Sequence, residues 1–190
     1  FYGLYLHPFS NNTRGGTMSL RVNMIAACVL LLSSMAAAAE RGVSQVVETP
    51  YSEQQVVYDL YFDKPGKRAS ALFWIRSLMN PLMDDPYNMA PEFLDIVVVI
   101  HGTEIVTVAK NNYEKYKDVV ERMRYYASLG VSFKVCGLAA HDYGYSHTDF
   151  YEFIDVVPSA ITELAHWQLQ GYALITPVVM EKKFSIEEIR

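Results

Sequence analysis

Short apolar runs alternate with amphipathic stretches from residue 56 to residue 176. Val56-Val57-Tyr58-Asp59-Leu60-Tyr61-Phe62 is rich in β-formers and bounded by Asp63-Lys64-Pro65-Gly66, which predicts a strand. Leu72, Ile75, Met79 and Leu82 follow at helical spacing, and Pro81 is expected to end or kink that helix near Asn80. Residues 84–93, with two prolines and two aspartates, read as a loop. Asp95-Ile96-Val97-Val98-Val99-Ile100 is a β-branched run of the kind buried on both faces of a parallel sheet. Asn111 and Glu114 then predict a capping box opening a helix, with Tyr116, Val119, Val120, Met123 and Ala127 as its apolar stripe. Lys117/Glu121 and Asp118/Arg122 are spaced to pair on its wet side, and Gly130 is a stop. Residues 132–140 read as one central strand, closed by His141-Asp142-Tyr143-Gly144. A helical turn is expected over 149–153 and a brief strand at Val156-Val157. Ser159 then caps a helix running to about Gln168, and Ala173-Leu174-Ile175-Thr176 makes a last strand before Pro177.

The order β-α-β-α-β-(α)-β-α-β predicts a five-stranded, mainly parallel sheet with helices on both faces, an α/β, flavodoxin-like layer. Ligands of such sheets bind beyond the C-terminal strand ends. The segments His101 to Glu104 and Cys136 to Asp142 follow two strands, so they are expected along one rim.

With 190 residues, 51% hydrophobic and 19% charged, the chain has the makings of one folded domain. A net charge of −5 argues against binding nucleic acid, because Lys and Arg are interleaved with acids instead of concentrated. Residues 1–39 read separately from the domain at 40–190. Met18 and Arg21 give a short basic start, Met24 to Met35 is nearly all apolar, and Ala36 to Ala39 supply the small residues of a cleavage site. This predicts an exported, periplasmic protein with no stable membrane span after cleavage, the apolar run falling short of about 20 residues. Ile25-Ala26-Ala27-Cys28 matches a lipoprotein box, but the apolar run follows Cys28 where it should precede it. Residues 1–17 read as upstream sequence, and 40–55 as a lead-in arm.

Cleavage after Ala39 leaves Cys136 as the one cysteine, which excludes an intramolecular disulfide and cysteine-based zinc frameworks. Cys136 is then core filler or a nucleophile, and the strand-end position is what favours the nucleophile. His101 and His141 are the imidazoles that could assist it. Gly102, Thr103, Glu104, Gly137 and His141 form the ligand-binding set, with Gly137 expected to leave room for a substrate. No HxH or HExxH spacing supports a metal. Dinucleotide and nucleoside-triphosphate fingerprints are missing, as is a Gly-x-Ser-x-Gly elbow.

The segments Ile96-Val97-Val98-Val99-Ile100-His101-Gly102, Phe133-Lys134-Val135-Cys136-Gly137-Leu138-Ala139-Ala140 and Gly171-Tyr172-Ala173-Leu174-Ile175 occur in the order found in the DsrE/DsrF-like sulfur-relay family, which includes the TusD subunits. The resemblance spans roughly residues 56–177. It implies a three-layer α/β/α fold, association as a homo-oligomer (trimer or hexamer), and a cysteine at the position of Cys136 that carries persulfide sulfur. No cofactor is then required. Partners would be sulfur donor and acceptor proteins, small thiols or polysulfide, with His101 moving the proton. The chain differs from relay-active members in having His141-Asp142 where they carry basic residues, and in its export signal. A second expectation is a non-catalytic oligomeric module binding a small ligand at the same rim. A third is an assembly role through the aromatic residues, 13% of the chain.

Overall fold

The apolar runs become a single five-stranded sheet in the computed structural model, in the order β4-β3-β2-β1-β5 with every pairing parallel. The strands are β1 (Gln54–Leu60), β2 (Leu94–Ile100), β3 (Ser132–Cys136), β4 (Ile154–Val157) and β5 (Ala173–Ile175). The structure describes residues 43–190, so the expected signal segment and its cleavage site lie outside the described residues. Pro50–Arg190 form one structural unit, while residues 43–49 belong to a separate one and are exposed, without regular structure. Among the described residues no helix is long and apolar enough to cross a membrane.

Strand alternation sorts side chains to two faces. Val56, Tyr58 and Leu60 of β1, Ile96, Val98 and Ile100 of β2, and Phe133 and Val135 of β3 enter the main core. That face is covered by α1 (Lys67–Met83) and α2 (Tyr113–Ser128), which contribute Leu72, Ile75, Met79, Val120 and Met123. Each fully buried aliphatic side chain contributes roughly 1.5–3 kcal/mol. Val57, Val97, Val99 and Cys136 face the other way, where Ala160 and Leu164 of α4 (Ala160–Leu169) pack with Tyr172. Strands 1 to 4 step across the sheet in one direction, and β5 returns to the free side of β1. The winding therefore reverses between β1 and β5, whereas flavodoxin itself has the order 2-1-3-4-5.

Several predicted boundaries move. Pro81 lies inside α1 because it falls in the last turn, where one ladder bond is forgone and Asp84 N–H still closes on the Asn80 carbonyl at 2.9 Å. Asn111 caps nothing: α2 starts after Asn112, whose side chain donates instead to the Val106 carbonyl and to Tyr145. Glu121 takes Tyr113 and Arg124 as partners, and Arg122 turns to the Ala69 carbonyl and the Phe73 ring, so the expected pairs give way to these. The helical turn expected over 149–153 is a 3-10 turn at His147–Asp149. The largest correction is at β3, which ends at Cys136. Gly137–Asp142 is a short helix, α3, not a continuation of the strand.

Candidate functional site

Because all strands run the same way, the C-terminal ends of β1, β2 and β3 meet on one edge. A cavity of about 380 Å³ opens there, lined by Tyr61, Phe62 and Asp63 after β1, His101, Gly102 and Thr103 after β2, and Ala139, Asp142 and Tyr143 from α3 and its end. The two segments expected on one rim thus share this opening.

His101 extends the ladder by one residue, its N–H donating to the Leu60 carbonyl at 3.1 Å. By strand parity its side chain lies on the same face as Val97, Val99 and Cys136. Its Nε2 lies 2.7 Å from Asp59 Oδ1, a residue of β1 on that same face. Both side chains are mostly buried, at 14% and 21% exposure. Tyr61 stacks on the imidazole, with centroids 4.9 Å apart and planes tilted by 25°.

Cys136 is the last residue of β3 and is 6% exposed. Its Sγ accepts the Ala139 N–H at 3.5 Å, so the sulfur serves as the cap acceptor that turns the chain into α3. No hydrogen bond joins Cys136 to His101 among the described residues, and Cys136 does not line the cavity. Ala139 does, so the sulfur is hydrogen-bonded to a residue of the cavity lining.

The remaining expected site residues divide. Gly102 and Thr103 line the cavity, the Thr103 hydroxyl donating to the Phe62 carbonyl at 2.9 Å. Glu104 has no exposed surface and lies beneath it: Oε1 accepts N–H groups of Gly102 (2.9 Å) and His101 (3.2 Å), and Oε2 that of Phe62 (3.1 Å). Gly102 is held to glycine by this knot, since a Cβ would stand 2.5 Å from both Phe62 N and Glu104 Oε2. The space beside Gly137 is taken by protein, because a Cβ there would lie 2.8 Å from the Val157 carbonyl. His141 points away into solvent, its side chain 92% exposed, 3.9 Å from Asp142.

Asp59, Tyr61 and Arg68 escaped the sequence reading. Asp59 had a signal, being the single charge inside an apolar strand. Arg68 had none. It is fully buried, donating to the Glu104 carbonyl (3.2 Å) and Thr107 Oγ1 (2.9 Å), and its Nε finds no partner among the described residues. Burial lowers its pKa to about 10, against the opposing pull of the Glu104 charge.

Residues 55–177 match the profile of the DsrE/DsrF-like family. No curated protein sequence matches the chain. Among solved structures, a protein of unknown function from Methanobacterium thermoautotrophicum, MTH1491, superimposes with a TM-score of 0.52 at 22% identity. The match covers 65% of this chain and 99% of that one. The likeness extends to the fold.

Proposed function

We propose a sulfur-carrier role for this chain, which belongs to the DsrE/DsrF-like family. The family suggests sulfur relay in general. Within that, our reading assigns the cargo to Cys136, held as a persulfide. The thiolate attacks the outer sulfur of a donor R–S–SH; that S–S bond breaks as the Cys136 S–S bond forms, and R–S⁻ departs without net oxidation or reduction. The observation that carries this reading is the sulfur at the end of β3, hydrogen-bonded by the N–H of Ala139, a residue lining the strand-end cavity. Donor and acceptor are partner cysteines, small thiols or polysulfide. The same proposal includes an exported, periplasmic location, resting on the Met18-to-Ala39 pattern, and assembly as a homo-oligomer.

Treatment of the full chain with polysulfide followed by peptide mapping is the direct test. The Cys136 peptide should gain about 32 Da per sulfur atom, and Cys136→Ser should lose the adduct. An unmodified Cys136 under these conditions overturns the assignment.

One observation favours a second reading, a non-catalytic module that binds a small ligand at the same edge: the cavity is lined without Cys136. A cysteine that meets thiol reagents only after unfolding would select this reading over the carrier.

A further inference from the structure

We infer that Asp59 is a positioning residue that fixes His101 as the base for a thiol entering the strand-end cavity. This rests on the carrier reading and adds to it the group that handles the incoming acceptor.

The imidazole is held on several sides. Its backbone N–H is tied to Leu60 and Glu104, its face is stacked by Tyr61, and its Nε2 meets Asp59 Oδ1 at 2.7 Å. A carboxyl oxygen opposite Nε2 selects the tautomer with the proton on Nε2. Nδ1 is then the basic nitrogen, and among the described residues it has no partner. His101 lines the cavity and makes no hydrogen bond to Cys136, whose sulfur accepts the N–H of Ala139, another residue of the lining. The base therefore serves what occupies the cavity, not the resident thiol.

An acceptor R–SH in the cavity gives its proton to Nδ1. The thiolate so formed attacks the outer sulfur of the Cys136 persulfide; the bond from that sulfur to Sγ breaks and R–S–SH forms. Cys136 leaves as a thiolate, accepting the Ala139 N–H, and electrons are conserved. Asp59→Asn keeps the size of the side chain but can turn an amide N–H toward Nε2. That favours the tautomer with the proton on Nδ1, which cannot accept one.

The test uses full chain loaded with sulfur on Cys136, the loading confirmed by mass, and follows transfer to 2-mercaptoethanol. Asp59→Asn should load normally and transfer at least about tenfold more slowly. His101→Gln should slow transfer similarly, and the double variant should be no slower than His101→Gln alone, because the carboxyl acts only through the ring. The ¹⁵N spectrum of His101 should show the ring proton on Nε2 in the parent and moved or mixed in Asp59→Asn. Should that variant not fold, Asp59→Glu, which retains a carboxyl, should keep the parent tautomer and most of the rate. Parent-like transfer by loaded Asp59→Asn, or additive losses in the double variant, overturns the inference while leaving the carrier reading intact. Failure of the parent chain to load overturns the carrier reading, and this inference with it.

Discussion

Glu104, with no exposed surface, acts as a structural acceptor just past the end of β2. Its two carboxyl oxygens accept three backbone N–H groups, from Phe62, His101 and Gly102, and so hold the chain after β1 against the chain after β2. Buried N–H groups left without acceptors cost roughly 1–3 kcal/mol each. Glu104→Gln turns one acceptor into a donor facing a donor, so it should lower unfolding stability by about 1–3 kcal/mol. Glu104→Ala strands the Phe62 and Gly102 donors, the His101 N–H keeping the Leu60 carbonyl, and should cost more. Urea unfolding measures both, and parent-like midpoints would show that the knot contributes nothing. A sequence can place an acid near a rim, but the rotamer that turns it inward depends on three N–H groups from two distant segments. The strand-end positions of Cys136 and His101 were legible because each closes an apolar run. Asp59 was legible in principle, as a charge interrupting such a run. Arg68 was not, since its burial depends on α1 and α2 packing together over one face of the sheet.

Among the elements, the strands were read well because a parallel strand buried on both faces leaves a continuous apolar run that few other structures need. The β3–α3 junction departs from the single strand that the sequence predicts, for a local reason. Gly137-Leu138-Ala139-Ala140 is small and apolar, which suits a strand end and a helix start equally; the cap made by the Cys136 sulfur decides between them. That junction also locks the cysteine. Gly137 packs so closely on β4 that an added Cβ would meet the Val157 carbonyl at 2.8 Å, and backbone must move to admit it. Gly137→Ala should destabilise the fold by about 1–3 kcal/mol and loosen the turn that caps Cys136. Native-state reaction of Cys136 with a thiol reagent should then be faster than in the parent. An unchanged rate would show that β4 yields without disturbing the sulfur.

For the molecule as a whole, burial of ionisable groups in the core sets how stability responds to alkali. Tyr58 is 1% exposed, and burial pushes its phenol well above the ordinary tyrosine range. Tyr172 is pushed up to about 12, first by burial and then by its hydrogen bond to Asp95. A tyrosine in the unfolded chain ionises near pH 10. Below that, both states hold the proton and the stabilisation is fully present. Above it the unfolded chain loses its protons first, so stability falls as pH rises through the folded values. Arg68 works the other way, because its folded value is lowered to about 10 by burial and the unfolded chain keeps that proton longer. It offsets part of the loss from the two tyrosines. The urea midpoint should therefore fall as pH is raised from about 9 to 11, each fully shifted tyrosine contributing up to about 1.4 kcal/mol per pH unit. Tyr58→Phe should flatten the slope by about one such contribution. It also gives up the hydrogen bond to the Trp74 carbonyl, a cost of about 0.5–1.5 kcal/mol that does not vary with pH until the phenol ionises. The diagnostic quantity is thus the slope, not the midpoint at neutral pH. A Tyr58→Phe profile parallel to the parent's would mean that the phenol is not sealed in the core between the sheet and α1.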